Sequence, residues 1–228
     1  MKRIILSIVW GLLTGWAAVP CLWAQSRTGT ADREIWVKTL VRLADPVLSN
    51  LANETLKKEM PYESLAPNRQ RFSYPLQAVG VEDETLAEKF SEDFFAIIPT
   101  KSGLMPYAKE VLEYLVPKYN LYILSNGFRE LQSRKMRSAG VDIYFKKVIL
   151  SEDLGVLKPW PEIFNFALSA TQSELRESLM IGDSWEADIT GVHGIGMHQA
   201  FYNVTGRTSF PFQPTYHIYS LKDLIDLL

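Results

Sequence analysis

Cysteine and histidine are too scarce in this chain to support the chemistries that depend on them. The one cysteine, Cys21, can close no internal disulfide and build no thiolate metal site. The three histidines, His193, His198 and His217, have no spacing that suits a metal centre or a catalytic triad, and they read as structural. Charge of one sign is also lacking. A net charge of −2 and a pI near 6.0 exclude the basic footprint of a nucleic-acid binder or of a protein held on an anionic membrane surface. No repeat or low-complexity tract is present, which excludes solenoid and fibrous architectures. One absence concerns chemistry directly: no aspartate in the chain is followed two residues later by another.

What is present is enough for a packed domain. With 228 residues and 47% hydrophobic content, the chain can build one α/β core and a small appendage. Its start is distinctive. Lys2 and Arg3 precede an uncharged run from Ile4 to Ser26, and Leu22-Trp23-Ala24 stand before Gln25. A basic start, an apolar middle and small residues at the end read as a secretory signal peptide over 1–24, with export as the expectation. Two alternatives share the same residues: an uncleaved membrane anchor, since the run nearly reaches spanning length, and a buried strand. Any membrane contact would run through this leader alone.

Beyond the leader, Trp36, Leu40, Leu43, Val47, Leu48 and Leu51 recur at helical steps, with Pro46 breaking the run into two helices. Pro61 and Pro67 then bracket a polar loop, the best boundary in the chain. Helices are expected over 71–79, 84–97 and 106–118. From there strands and helices alternate: strands at 121–125, 147–151, 179–182, 196–201 and 216–219, and helices at 128–138, 161–169, 186–192 and 221–228. This alternation predicts a doubly wound, mostly parallel, Rossmann-like sheet. Such sheets bind ligands beyond the carboxyl ends of their strands. Phe72, Tyr74, Phe90, Phe94 and Phe95 read as helix-packing aromatics, some of which could instead line a substrate pocket.

Two of the residues that carry chemistry, Ser125 and Asp183, fall at such strand ends. Ser125 follows the apolar run Leu121-Tyr122-Ile123-Leu124. Its hydroxyl can bind a phosphoryl oxygen, assisted by the N–H groups of Asn126 and Gly127, or it can simply cap the next helix. Lys158 lies in Gly155-Val156-Leu157-Lys158-Pro159, where the proline keeps it on a loop and its cation can balance nearby negative charge. Asp183 and Asp188 stand in Gly182-Asp183-Ser184-Trp185-Glu186-Ala187-Asp188. Two carboxylates there can serve Mg²⁺, which takes oxygen ligands and keeps several waters, or can dress a helix N-terminus.

In order and spacing, these segments resemble motifs II, III and IV of the haloacid dehalogenase (HAD) superfamily. Leu121 to Phe128 and Gly182 to Gly191 most resemble the noncanonical pyrimidine 5′-nucleotidases. The resemblance spans about residues 68–228. It implies a truncated helical cap over 68–104 and a HAD core over 105–228. It also implies Mg²⁺ held by Asp183 and Asp188, phosphate held by Ser125, Asn126 and Lys158, and Ser125 and Lys158 as the catalytic candidates. The implied substrate is a small phosphorylated molecule such as a nucleoside monophosphate, hydrolysed through an aspartyl-phosphate. The nucleophile of that chemistry is the first Asp of motif I, Asp-x-Asp, which this chain lacks; the core is therefore expected to lack the motif-I strand.

Residues 25–67 are instead a helical segment foreign to that fold. With the leader, they resemble the opening of a secreted all-helical bacterial family. The chain thus reads as chimeric, joined near 67–74. Three functions compete: a Mg²⁺-dependent phosphohydrolase by descent, a catalytically dead phosphate-binding remnant, and a secreted helical fragment. The run Ile4 to Trp10 is apolar and β-branched enough to fill the motif-I slot, which would put Ser7 or a neighbour where the nucleophile belongs.

Overall fold

The structure is a computed structural model and describes residues 3–6, 72–73, 76–77, 80–97, 100, 102–127 and 129–228. The chain divides into two compact units, one formed by Met1–Gly15 with Ser102–Leu228 and the other by Trp16–Lys101. The expected foreign segment (25–67) and nearly all of the expected cap (68–104) thus fall within a single unit.

The first unit is built on a six-stranded sheet in the order β3-β2-β1-β4-β5-β6, every pair parallel. Its strands are β1 (Arg3–Leu6), β2 (Asn120–Ser125), β3 (Lys147–Leu150), β4 (Ser178–Gly182), β5 (His198–Tyr202) and β6 (Tyr216–Ile218). Side chains alternate across a strand, and both faces of this sheet are covered. On one face Leu121, Ile123, Leu179 and Ile181 pack with Val111, Leu112 and Leu115 of α2 (Ala108–Leu115), Met136 of α3 (Arg129–Ala139) and Leu224 of α6 (Asp223–Leu227). On the other, Tyr122, Leu124 and Met180 meet Ile163, Phe164 and Ala167 of α4 (Pro161–Ala170) and Val192 of α5 (Thr190–Gly194). The doubly wound architecture expected from the alternation is the one observed.

Most elements fall within a residue or two of their expected bounds. The exception is the helix expected over 186–192. Trp185–Ile189 instead forms a wide π-helical turn, in which Ser184 accepts backbone bonds from both Asp188 and Ile189. Such turns occur where a side chain must be re-aimed, and here the side chain is Asp188.

The expectation that the core lacks its motif-I strand is corrected. The slot between β2 and β4 is filled by β1, which pairs with both neighbours over the same four residues. Isoleucines are good strand formers, and a central parallel strand is an apolar run rather than an alternating one. The segment read as a leader therefore meets the requirement of the sheet's centre. Ser7, the residue suggested for the nucleophile position, lies outside the described residues, as do the helices expected over 31–58.

In the second unit, α1 (Glu84–Ile97) follows Asp83, whose carboxylate accepts the Leu86 N–H at 3.0 Å and caps the helix. Leu86, Ala87, Phe90 and Ile97 form its buried side. Phe72 meets Phe90 edge to face with centroids 6.2 Å apart, as expected of packing aromatics. Tyr74 lies outside the described residues, and so do the side chains of Phe94 and Phe95.

One consequence is testable. Cleavage after Ala24 would remove β1 and leave β2 and β4 without a shared partner. Each unpaired buried backbone group costs roughly 1–3 kcal/mol, and several together approach a domain's whole margin of about 5–15 kcal/mol. The chain beginning at Gln25 is expected to lose the cooperative thermal transition shown by the full chain, as followed by circular dichroism. Equal melting of the two would show that β1 contributes nothing to the sheet.

Candidate phosphate site

Ser125 ends β2 and Asp183 follows β4, so the two flank the carboxyl end of the central strand. Between them runs a buried ion pair. Lys158 Nζ lies 2.6 Å from Asp188 Oδ1 and also donates to the Leu124 carbonyl at 3.2 Å. Both side chains are almost wholly buried. The lysine therefore ties the end of β2 to the turn after β4, across the position of β1.

The loop carrying Lys158 is itself held. Asn126 Oδ1 accepts the Lys158 N–H at 2.8 Å, and Asn126 Nδ2 donates to the Lys158 carbonyl at 3.1 Å. This reciprocal pair fixes the lysine's backbone from the β2 side. Asn126 was expected to contribute its N–H to a phosphate; its side chain has this second task, which spacing alone did not show. The Lys158–Pro159 peptide bond is cis.

Asp188 occupies its place because Gly182 has no side chain. A Cβ on Gly182 would fall 2.4 Å from Asp188 Cβ. The other oxygen of Asp188 accepts the Ser184 N–H at 3.1 Å, while Ser184 Oγ caps the turn by accepting from Ala187 N–H at 3.1 Å. Asp188 thus anchors the lysine and the turn.

Asp183 is half-buried. Burial, and next the neighbouring Asp188 charge, push its carboxyl up to about 6, against the opposing pull of Lys158. Two of the histidines make ring contacts: His193 stacks on Phe212 with centroids 3.7 Å apart, and His217 stacks on Tyr219 at 4.7 Å.

Mg²⁺ takes hard oxygen ligands and is held by as few as one or two carboxylates. Among the described residues no three His, Cys, Asp or Glu side chains form a cluster. Of the two carboxylates expected to hold it, Asp188 accepts from Lys158 and from the Ser184 N–H, and Asp183 lies beside it after β4. What the residues present can do is receive an anion: a hydroxyl on β2, a backbone N–H group in the following loop, and a fixed cation nearby.

One contact of Ser125 escaped the sequence reading. Gln132, fully buried on α3, donates to Ser125 Oγ at 2.9 Å. Its position seven residues after Ser125 is the only trace it leaves in the sequence.

A doubly wound parallel sheet with a serine, a lysine and an aspartate gathered near the carboxyl ends of its strands defines an α/β protein whose candidate site lies where such sheets bind ligands. The chain belongs to the haloacid dehalogenase-like hydrolases, whose family profile matches residues 33–196. That match begins upstream of the join expected near 67–74 and runs through it. The chain is 32% identical over 161 residues to the HAD-hydrolase YfnB of Bacillus subtilis, covering 69% of this chain and 67% of that protein. It is 30% identical over 188 residues to the pyrimidine 5′-nucleotidase PynA of Streptococcus pneumoniae, covering 77% and 76%. It is also 30% identical over 167 residues to the pyrimidine 5′-nucleotidase YjjG of Escherichia coli, covering 72% of each. The fold matches the crystal structure of magnesium-bound YfnB with a TM-score of 0.78 at 24% identity, over 99% of this chain and 98% of that one.

Two variants check this geometry. Gly182→Ala forces Asp188 away from Lys158, and overpacking of this kind costs about 1–3 kcal/mol; a fall in melting temperature of several degrees is expected. Asp183→Asn should act in the opposite direction. With a carboxyl raised to about 6 in the fold from an ordinary value of 3.8, stability declines as pH rises between those values. The Asn variant is therefore expected to melt a few degrees above the parent at pH 7.5 in EDTA, by on the order of 1 kcal/mol after allowance for its partial exposure. The gap should close below pH 4. A parent that melts higher than Asp183→Asn at pH 7.5 contradicts the raised value.

Proposed function

We propose that this chain is a HAD-type phosphomonoester-binding protein with a preference for nucleoside 5′-monophosphates, and that it does not turn them over. One observation carries the reading: Ser125 and the Lys158–Asp188 pair are assembled at the ends of β2 and β4, while the strand between them leads into a sequence without a carboxylate. The residues after β1 are Ser7, Ile8 and Val9. An aspartyl-phosphate needs a carboxylate oxygen to attack phosphorus. Without one, the remaining groups can hold the phosphate but cannot form the covalent intermediate.

Support for the ligand class comes from the two relatives at 30% identity that are themselves pyrimidine 5′-nucleotidases. Lys158 would balance the phosphate's charge, and Ser125 and the N–H group of Asn126 would bind its oxygens. Magnesium, if supplied by the medium, would find Asp183 but no partner carboxylate from β1. Export is a separate proposal: a form processed after Ala24 would have lost β1, so the phosphate-binding species is the one that keeps its N-terminus.

Hydrolysis of uridine 5′-monophosphate with Mg²⁺ is expected to stay at background, since loss of a nucleophile costs on the order of 10⁶-fold in turnover. Titration with inorganic phosphate should still show binding, weakened about tenfold or more by Lys158→Ala. Turnover at ordinary enzyme rates that Asp183→Asn abolishes would overturn the first part. Absence of any phosphate binding would overturn the second. Replacing residues 1–67 with the corresponding segment of an intact nucleotidase, Asp-x-Asp included, should restore Mg²⁺-dependent hydrolysis.

A further inference from the structure

Ser125 Oγ accepts two hydrogen bonds, from the Gly127 N–H at 3.0 Å and from Gln132 Nε2 at 2.9 Å. A hydroxyl offers two lone pairs and one proton. Both lone pairs are taken, and among the described residues nothing receives the proton. We propose that Gln132 is a positioning residue that presents Ser125 as an obligate donor to a phosphoryl oxygen. The inference rests on the phosphate-binding reading above and deepens it.

The setting of Gln132 argues against simple packing. Its side chain is fully buried on α3, where an apolar residue would carry no desolvation cost. Half of its amide is unsatisfied, since Oε1 has no partner among the described residues. A buried orphan of this kind is a standing desolvation cost. Gly127 also clears the space, because a Cβ there would fall 2.3 Å from Gln132 Nε2. Retaining a half-satisfied amide beside a glycine makes sense if Nε2 does something for Ser125.

Polarity decides what that is. With Nε2 facing Ser125, the serine proton is turned outward to a ligand. With a carbonyl or carboxylate oxygen in the same place, Ser125 would donate to it and be withdrawn from the ligand. Gln132→Glu makes this exchange with almost no change in shape. Gln132→Leu removes the bond without replacing it.

The test is the affinity of the full chain for inorganic phosphate, measured by calorimetry at pH 8 and pH 5, with melting curves to confirm folding. Relative to the parent at the same pH, Gln132→Leu is expected to bind about 5–10-fold more weakly, the loss of one oriented hydrogen bond. At pH 8, Gln132→Glu should bind as weakly as Ser125→Ala. At pH 5 it should recover toward the parent, because a protonated carboxyl can again donate to Ser125 Oγ. In the Ser125→Ala background, Gln132→Leu should change nothing further. Gln132→Glu equal to the parent at pH 8, or additive losses in the double variant, would overturn the inference while leaving the phosphate-binding reading intact. A parent that binds no phosphate would overturn both. Should Gln132→Glu not fold, the Gln132→Leu double-variant comparison decides the matter alone.

Discussion

The buried contact between Lys158 and Asp188 is the constraint on which the rest of the site depends. At 2.6 Å, with both side chains out of water, neither charge can be left alone. Breaking such a pair costs about 3–5 kcal/mol, because the surviving charge stays buried. Several local features are explained by protecting it. Gly182 makes room for Asp188, the wide turn at Trp185–Ile189 aims it, and Asn126 holds the lysine's backbone from the opposite strand. The pair spans the end of the central strand, so the site and the sheet are stabilised together.

The central strand is where fold and chemistry part. The sheet requires an apolar, β-branched segment between β2 and β4, and Arg3–Leu6 provides one. The hydrolytic chemistry of the family requires, in addition, a carboxylate at that strand's end. The pairing of Arg3–Leu6 with both neighbours meets the first requirement, so a segment with the composition of an export leader completes the sheet. The same composition serves two fates that exclude each other: a cleaved leader cannot also be a strand.

The remaining site residues illustrate how the state of a side chain is set by its neighbours. Ser125 has its lone pairs occupied, and among the described residues nothing receives its proton. Asp183 sits beside a second carboxylate and partly out of water, which raises its proton affinity. In each case the functional state of a side chain is set by groups that do not themselves face a substrate.

Much of this was legible in the chain's order. The alternation of short apolar runs with amphipathic segments gave the doubly wound sheet, because strand and helix periodicities differ and parallel strands need helical crossovers. Ser125 and Asp183 were legible because strand ends are marked by the runs before them, and Lys158 because Pro159 keeps it on a loop. Other features were decided only in three dimensions. That Arg3–Leu6 is a strand rather than only a leader depends on a vacancy between two strands more than a hundred residues away. That Asp188 meets Lys158 depends on a turn wider than the periodicity suggested. That Gln132 reaches Ser125 depends on how α3 folds back over the end of β2. Sequence by itself determined the elements and their chemistry-bearing ends, since those follow from local pattern. Tertiary structure decided which groups meet, since burial and pairing join residues that the chain keeps far apart.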